Sequence, residues 1–249
     1  FNATPAIVNS VVIYVLRLML NQFRQNQSIS IPLNEGILKN VEIHLPECFL
    51  NPPLNLPPDK CPAVVGGNTE TSQRLTDTLL KALRLAACSQ GTMNNLLFGN
   101  DKFGYYETIG GGSGAGDGFA GADAVHQHMT NTAITDPEIM ELRYPVLVNR
   151  FSIRQDSGGA GQWPGGDGII REIQFLQPVQ FSILSQHRKY APYGLSGGKP
   201  GKPGNQWLIK NGDQRLSLNS IDGSLLHAGD RLIIETPGGG GFGASNHPD

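Results

Sequence analysis

His126 and His128 stand two residues apart in Val125-His-Gln-His-Met-Thr-Asn-Thr132. On an extended segment that spacing turns both imidazoles to one side, where they could share a metal, a substrate or a proton-transfer task. On a helix they would diverge. A catalytic metal site needs a third protein ligand, and Glu107, Asp123 and Asp136 are the acidic side chains nearby. Satisfied structural histidines are the other reading of the pair. Just upstream, Gly110-Gly-Gly-Ser-Gly-Ala-Gly-Asp-Gly118 is the densest glycine run. Glycines this close let backbone N–H groups converge on an anion or a flat substrate. They also suit a wide, flexible connection between strands. No Gly-Lys-Ser/Thr follows, so the run is not a P-loop, and it lacks the strand, helix and distal acid of a dinucleotide site.

Other stretches carry weaker chemistry. Asn94 and Asn95, and Thr130-Asn131-Thr132, cluster short hydrogen-bonding side chains in predicted loops, where binding groups tend to sit and turn chemistry also places them. Gly194-Leu-Ser-Gly-Gly198 has the G-x-S-x-G spacing of a nucleophile elbow, but Lys199-Pro200-Gly201 forbids the helix that an elbow must feed. Pro237-Gly-Gly-Gly-Gly-Phe-Gly243 reads as an anion cradle or a flexible tail. Cys48, Cys61 and Cys88 are an odd number at wide spacing, with no C-x-x-C pair, which argues for a reducing compartment, and with no adjacent His, Cys61 and Cys88 read as buried small residues.

The elements that must position these groups are partly visible. Ala6 to Leu20 is strongly apolar, yet short for the roughly 20 residues of a membrane span and interrupted by Asn9, Ser10 and Arg17. It predicts a buried helix, with Thr4 as N-cap and Pro5 at the first position. Ser28 to Pro46 alternates polar and apolar residues, favouring short strands or extended segments. Asn51 to Pro62, with prolines at 52, 53, 57, 58 and 62, is a loop. The spacing of Leu75, Leu79, Leu83 and Ala86 predicts a helix from about Thr69 to Cys88, with Glu70/Arg74 and Asp77/Lys81 as i,i+4 pairs on its polar side. Beyond Phe151, short β-rich runs at Ile169 to Leu176, Val179 to Leu184, Trp207 to Lys210 and Arg231 to Thr236 predict strands, with Asn211-Gly212 as a hairpin turn. The expected class is α+β, with a few buried helices in the N-terminal part and a β-rich, glycine-punctuated C-terminal layer. The pattern shifts near residue 150, from mixed α/β over 1–150 to β-rich over 151–249.

Composition narrows the partners. The chain has 19 basic and 21 acidic residues, net charge −2, and no Lys/Arg cluster to track a phosphate backbone, which argues against nucleic acid. Charged residues are 16%, against about 25% in a typical soluble domain, so part of the surface is expected to meet another subunit. With 32 glycines and 17 prolines, turns and irregular backbone must occupy much of the chain. Phe1 leads almost at once into core-type sequence, as if the chain began inside a longer one.

The order and spacing of Val64-Val-Gly-Gly-Asn-Thr-Glu-Thr-Ser-Gln-Arg74, Ser89-Gln-Gly-Thr-Met-Asn-Asn95, Gly104-Tyr-Tyr-Glu-Thr-Ile-Gly-Gly-Gly-Ser-Gly-Ala-Gly116, Val125 to Thr132 and Thr135-Asp-Pro-Glu-Ile139 closely resemble the hydantoinase B/oxoprolinase family. The likeness continues through Arg143-Tyr-Pro145, Gly158-Gly-Ala-Gly161, Gly165-Gly-Asp-Gly168 and Thr236 to Gly243, covering nearly the whole chain. Within the family the histidine segment is most similar to 5-oxoprolinases, with N-methylhydantoinase B and acetone- or acetophenone-type carboxylase subunits as neighbours. The resemblance implies a cytoplasmic, ATP-dependent enzyme that opens a cyclic amide such as 5-oxo-proline. ATP and Mg would be bound by a hydantoinase A-like partner part, which phosphorylates the substrate oxygen, while the B part handles the activated intermediate. Family members extend further at the N-terminus, so this chain resembles the C-terminal half of the B part, and a divalent metal would take its ligands from the missing N-terminal half.

On that basis His126, His128 and Glu107 are the candidate catalytic groups. Gly111, Gly112, Ser113, Gly114, Asn131, Asn94 and Asn95 are the candidate substrate-binding groups. An assembly module without catalytic groups is the alternative from another class, and a carboxylase subunit is the alternative chemistry.

Overall fold

The computed structural model describes residues 1–23, 34–210 and 214–245. Helix α1 runs Pro5–Phe23. Thr4 Oγ1 accepts from the Ile7 amide at 3.4 Å, and Pro5 occupies the first turn as its fixed φ favours. The helix is buried along one stripe only, through Val8, Val11 and Val15, while Leu18 is exposed. The predicted buried helix is thus buried on one face. No helix of the described residues is long and apolar enough to cross a membrane.

The expected extended stretch Ser28 to Pro46 falls partly outside the described residues. Its described remainder, from Asn34, makes a 3-10 turn at Glu35–Leu38 capped by the Asn34 side chain, and no ladder. The second helix begins as a π turn, Gly67–Thr71, and continues as α2, Ser72–Ala82. It stops six residues before the predicted end because Arg84 enters the left-handed region at φ 55. Ala87 then donates to the Ala115 carbonyl at 2.8 Å, drawing the chain into a glycine layer.

The orientation of α2 is the larger correction. Its buried residues are Ser72, Gln73, Thr76, Asp77 and Leu80, whereas Leu83 is exposed. Leu75 and Leu79 pack, half-buried, with Val11, Val15 and Leu80 against α1. Glu70 and Asp77 therefore do not sit on a solvated face: both are buried and take partners other than Arg74 and Lys81.

Two antiparallel sheets enclose the main core. One has the order β2-β1-β5-β8, formed by Gly104–Glu107, Asn95–Gly99, Val179–Leu184 and Ile221–Leu226. The other has the order β3-β4-β9-β6-β7, formed by Val146–Arg154, Gly168–Phe175, Arg231–Glu235, Asn205–Lys210 and Gln214–Ser217. Period-two alternation directs Leu96, Phe98, Phe181 and Ile183 of the first sheet, and Ile173, Phe175, Leu232 and Ile234 of the second, into one cluster. The class is α+β. A short helix α3, Pro137–Arg143, is capped by Asp136, whose side chain accepts from the amides of Glu138 and Ile139. The Asn211-Gly212 turn lies outside the described residues; the strands flanking it, β6 and β7, pair antiparallel.

The glycine stretches are neither flexible connections nor a loose tail. Gly110–Gly112 and Pro237–Gly241 are buried. They interlock with Gly158–Gly168 and Gly194–Gly201 through backbone bonds: Gly112 donates to Pro237, Gly166 to Ser113, Gly239 to Gly166, and Gly241 to Lys199, all at 2.8–3.0 Å. The reason for glycine is close approach. A Cβ on Gly112 would stand 1.9 Å from the Gly166 carbonyl oxygen, and one on Gly239 would stand 1.8 Å from that of Ser113.

Candidate functional site

A cavity of about 960 Å³ opens between α1, the end of α2, the glycine layer and the histidine segment. Its walls include Tyr14, Leu80, Ser113, Gly114, Phe119, His126, Gln127 and His128. Two predicted catalytic side chains and two predicted binding residues thus share one pocket. Because α1 packs on α2, Tyr14 of the first helix reaches the histidine segment. Its hydroxyl lies 3.4 Å from His128 Nδ1, and the two rings meet edge to face. The other imidazole nitrogen, Nε2, lies 3.4 Å from Asp77 Oδ1. His128 holds φ 55, a conformation uncommon outside glycine and one found at functional sites that the surrounding structure over-determines.

Asp77 is the anchor of this arrangement. Ser89 donates to its carboxylate from the backbone amide at 2.9 Å and from the hydroxyl at 3.0 Å, and the Cys88 thiol lies 3.5 Å away. Burial alone would push its carboxyl pKa up, but the hydrogen bond and charge of His128, with the Ser89 amide, outweigh burial and hold it below the ordinary value. Burial, and then the Asp77 charge, raise both the Tyr14 phenol and the Cys88 thiol, so both keep their protons near neutral pH. His126 is half-buried and makes no hydrogen bond among the described residues; burial lowers its pKa, leaving a neutral imidazole facing the cavity. Behind Asp77, His187 is pushed down to about 4 by burial and by the charge of Arg74, whose guanidinium contacts its Nε2.

The remaining predicted residues lie elsewhere. Gly111 and Gly112 spend their amides on Val125 and Pro237, so these two donors do not converge on a ligand. Glu107 is buried in the sandwich, where it accepts from Arg171 Nε at 2.8 Å, Arg171 Nη2 at 3.0 Å and the Tyr105 hydroxyl at 2.8 Å. Asn94 bridges Gln90, the Ile109 carbonyl and Arg188, and Asn95 bridges Glu70, the Leu184 carbonyl and Tyr106. Asn131 is exposed and outside the cavity lining. Asp123 accepts from the Asp167 amide and Asp136 caps α3, so neither completes a ligand set with the histidines. Among the described residues no group of three or more His, Cys, Asp or Glu could hold a metal ion.

Sequence reading missed Tyr14, hidden in an apolar helix, and Asp77, assigned to an exposed pair. A signal for Asp77 existed: Glu70, Gln73, Asp77 and Leu80 recur at helical spacing as a second, mostly polar stripe.

Glu70 supplies a separate pH test. Burial pushes its carboxyl from 4.5 up to about 8, against hydrogen bonds from Thr92 and Asn95 and the charge of Arg188. The folded state therefore keeps a proton that the unfolded chain releases. The stabilisation is complete below about pH 4.5 and is lost as pH rises through about 8. Glu70→Gln keeps an oxygen acceptor and removes the charge. Its stability relative to wild type is expected to rise by about 2–4 kcal/mol between pH 5 and pH 9. Parallel urea midpoints across that range would contradict this.

The hydantoinase B/oxoprolinase family profile matches residues 1–245. The chain is 50% identical to 5-oxoprolinase 1 of Arabidopsis thaliana over 98% of its own length, and spans 18% of that relative. The fold matches the crystal structure of an ATP-dependent caprolactamase from Pseudomonas jessenii, with TM-score 0.72 and 25% identity, over 94% of this chain and 42% of that one. It also matches a nucleotide-free acetone carboxylase, with TM-score 0.69 and 17% identity, over 92% of this chain and 36% of that one, a likeness of fold alone. With the profile spanning both the sandwich and the histidine-lined cavity, this chain belongs to the hydantoinase B/oxoprolinase family.

Proposed function

We propose that this chain is part of an ATP-dependent cyclic amide hydrolase, with 5-oxo-proline or an N-methylhydantoin as substrate, and that the cavity between α1 and the glycine layer receives the activated intermediate. The observation that carries this reading is the convergence of His126, His128, Ser113 and Gly114 on one cavity whose walls are mixed, with Leu80, Leu85 and Phe119 beside these polar groups. A small ring needs apolar walls for burial and a few polar groups for orientation. A phosphorylated imidate needs a group able to move a proton near pH 7, which a neutral imidazole supplies. Among the described residues no Lys or Arg lines the cavity, and two of its neighbouring glycine amides are committed, so the lining described does not fit a triphosphate. ATP and Mg are accordingly assigned to a hydantoinase A-like part, and any divalent metal to residues outside this chain. A cytoplasmic setting fits the three free cysteines.

In the complete enzyme, replacing His126 and His128 together by Ala is expected to lower ring opening by at least about 100-fold. Phosphate release and ring opening would be followed with 5-oxo-proline, hydantoins, and ketones plus bicarbonate. Unchanged ring opening in the double variant would remove the histidines from the mechanism. Turnover confined to ketone and bicarbonate would instead identify a carboxylase subunit.

A further inference from the structure

We infer that Tyr14 is a catalytic residue, the cavity-facing end of a proton relay in which His128 and Asp77 are positioning residues. The inference rests on the cyclic amide reading above for its substrate, and on geometry for the relay itself. Three side chains far apart in sequence form a single file from cavity to interior: the Tyr14 hydroxyl, His128 with Nδ1 toward that hydroxyl and a buried Nε2 that faces the carboxylate at 3.4 Å without a hydrogen bond, and the buried Asp77. The carboxylate facing Nε2 at 3.4 Å favours the tautomer with its proton on that nitrogen, because a buried anion accepts and cannot donate. Nδ1 is then left as acceptor for the Tyr14 hydroxyl. Burial keeps the phenol protonated, so it enters the reaction with a proton to pass inward. The two contacts of 3.4 Å must shorten in the reacting complex, as catalytic hydrogen bonds do.

In the step proposed, water attacks the ring carbon of the imidate that ATP has phosphorylated. The water oxygen bonds to that carbon and the C=N π pair moves to the ring nitrogen. The departing water proton goes to Tyr14 Oη as the tyrosine's own proton moves to His128 Nδ1, and Asp77 balances the imidazolium. No free tyrosinate or isolated buried cation forms. The relay then returns that proton through Tyr14 to the ring nitrogen, giving a neutral tetrahedral adduct. Its new hydroxyl passes its proton by the same path to the nitrogen as the ring C–N bond breaks, leaving a free amine and an acyl phosphate that a second water hydrolyses to carboxylate and phosphate. His126, neutral and without a partner among the described residues, is the rival base on the same wall.

The test uses the complete enzyme with its ATP-using part. Tyr14→Phe, which keeps the ring, is expected to lower kcat for ring opening about 100-fold with KM nearly unchanged. His128→Asn, chosen because asparagine tolerates a positive φ, is expected to lose as much. The double variant should lose no more than either alone, as groups acting in one unit do. A Tyr14→Phe variant within twofold of wild type, or losses that multiply in the double variant, would overturn the relay and favour His126. The nitrogen-15 spectrum of histidine-labelled enzyme decides the relay independently of turnover. It should show His128 protonated on Nε2 with an Nδ1 shift that moves in Tyr14→Phe, and an Nδ1-protonated ring would refute it. Absence of ring opening in the wild type would count against the cyclic amide reading, and the spectrum would still settle the relay.

Discussion

Replacing Glu107 by Ala is expected to destabilise the fold by about 3–5 kcal/mol, because it leaves a fully buried guanidinium without its counter-charge. Arg171 has no exposed surface, and its remaining contacts are Met140 Sδ at 3.0 Å and the Phe151 ring at 5.0 Å from its central carbon. Neither replaces a carboxylate, and Nη1 already lacks a partner. The Tyr105 hydroxyl would lose its acceptor as well. Urea denaturation of Glu107→Ala, of the singles Glu107→Leu and Arg171→Leu, and of the double variant Glu107→Leu/Arg171→Leu gives the check. The double variant should be more stable than the sum of the single losses predicts, since removing both charges leaves neither stranded. If instead Glu107→Gln kept full stability and lost only turnover, the carboxylate would serve chemistry rather than the core.

Gly112→Ala is expected to cost more than about 4 kcal/mol, or to prevent folding. The added methyl would stand 1.9 Å from the Gly166 carbonyl oxygen and 2.3 Å from the Gly239 amide nitrogen, both backbone atoms. Side chains can turn aside from such a contact. These segments cannot, because each is hydrogen-bonded into the layer on its other side: Gly166 donates to Ser113, Gly239 donates to Gly166, and Gly240 donates to Cys88. Gly104→Ala is the matched control, since nothing lies within 4 Å of its Cβ position. It should stay within about 0.5 kcal/mol of wild type. Equal midpoints for the two variants would show that the layer yields, and that its glycines serve something other than close packing. The Ser113–Gly114 wall of the cavity belongs to this layer, so a milder distortion there should also appear as a loss of binding.

Local pattern determined much of the scaffold. The alternation in Val179 to Leu184 places β5 at its observed bounds, and β4, β6 and β9 lie within two residues of their predicted starts. Thr4-Pro5 marks the start of α1. Strands β1, β2 and β3 were not legible, because their apolar residues are interrupted by glycine, tyrosine pairs and charges whose facing only a partner strand decides. Had β2 been recognised, its period-two alternation would have turned Glu107 inward with Tyr105.

His126, His128 and the glycine run stood out in the sequence because they are close along the chain and unusual in composition. Which of their neighbours join them was decided only by tertiary structure. Helix α2 carries two stripes at the same period, and periodicity states which residues share a face without stating which face is buried. Packing Leu75 and Leu79 against α1 turned the polar stripe inward, and that rotation brought Asp77 under His128 while α1 delivered Tyr14 from the other side. Contacts spanning 114 residues, as between Tyr14 and His128, leave no local trace. The sequence determined the family, four of the strands and one histidine-bearing wall; the packing of two helices decided what stands opposite that wall, because a buried carboxylate acquires its partners only when distant segments close around it.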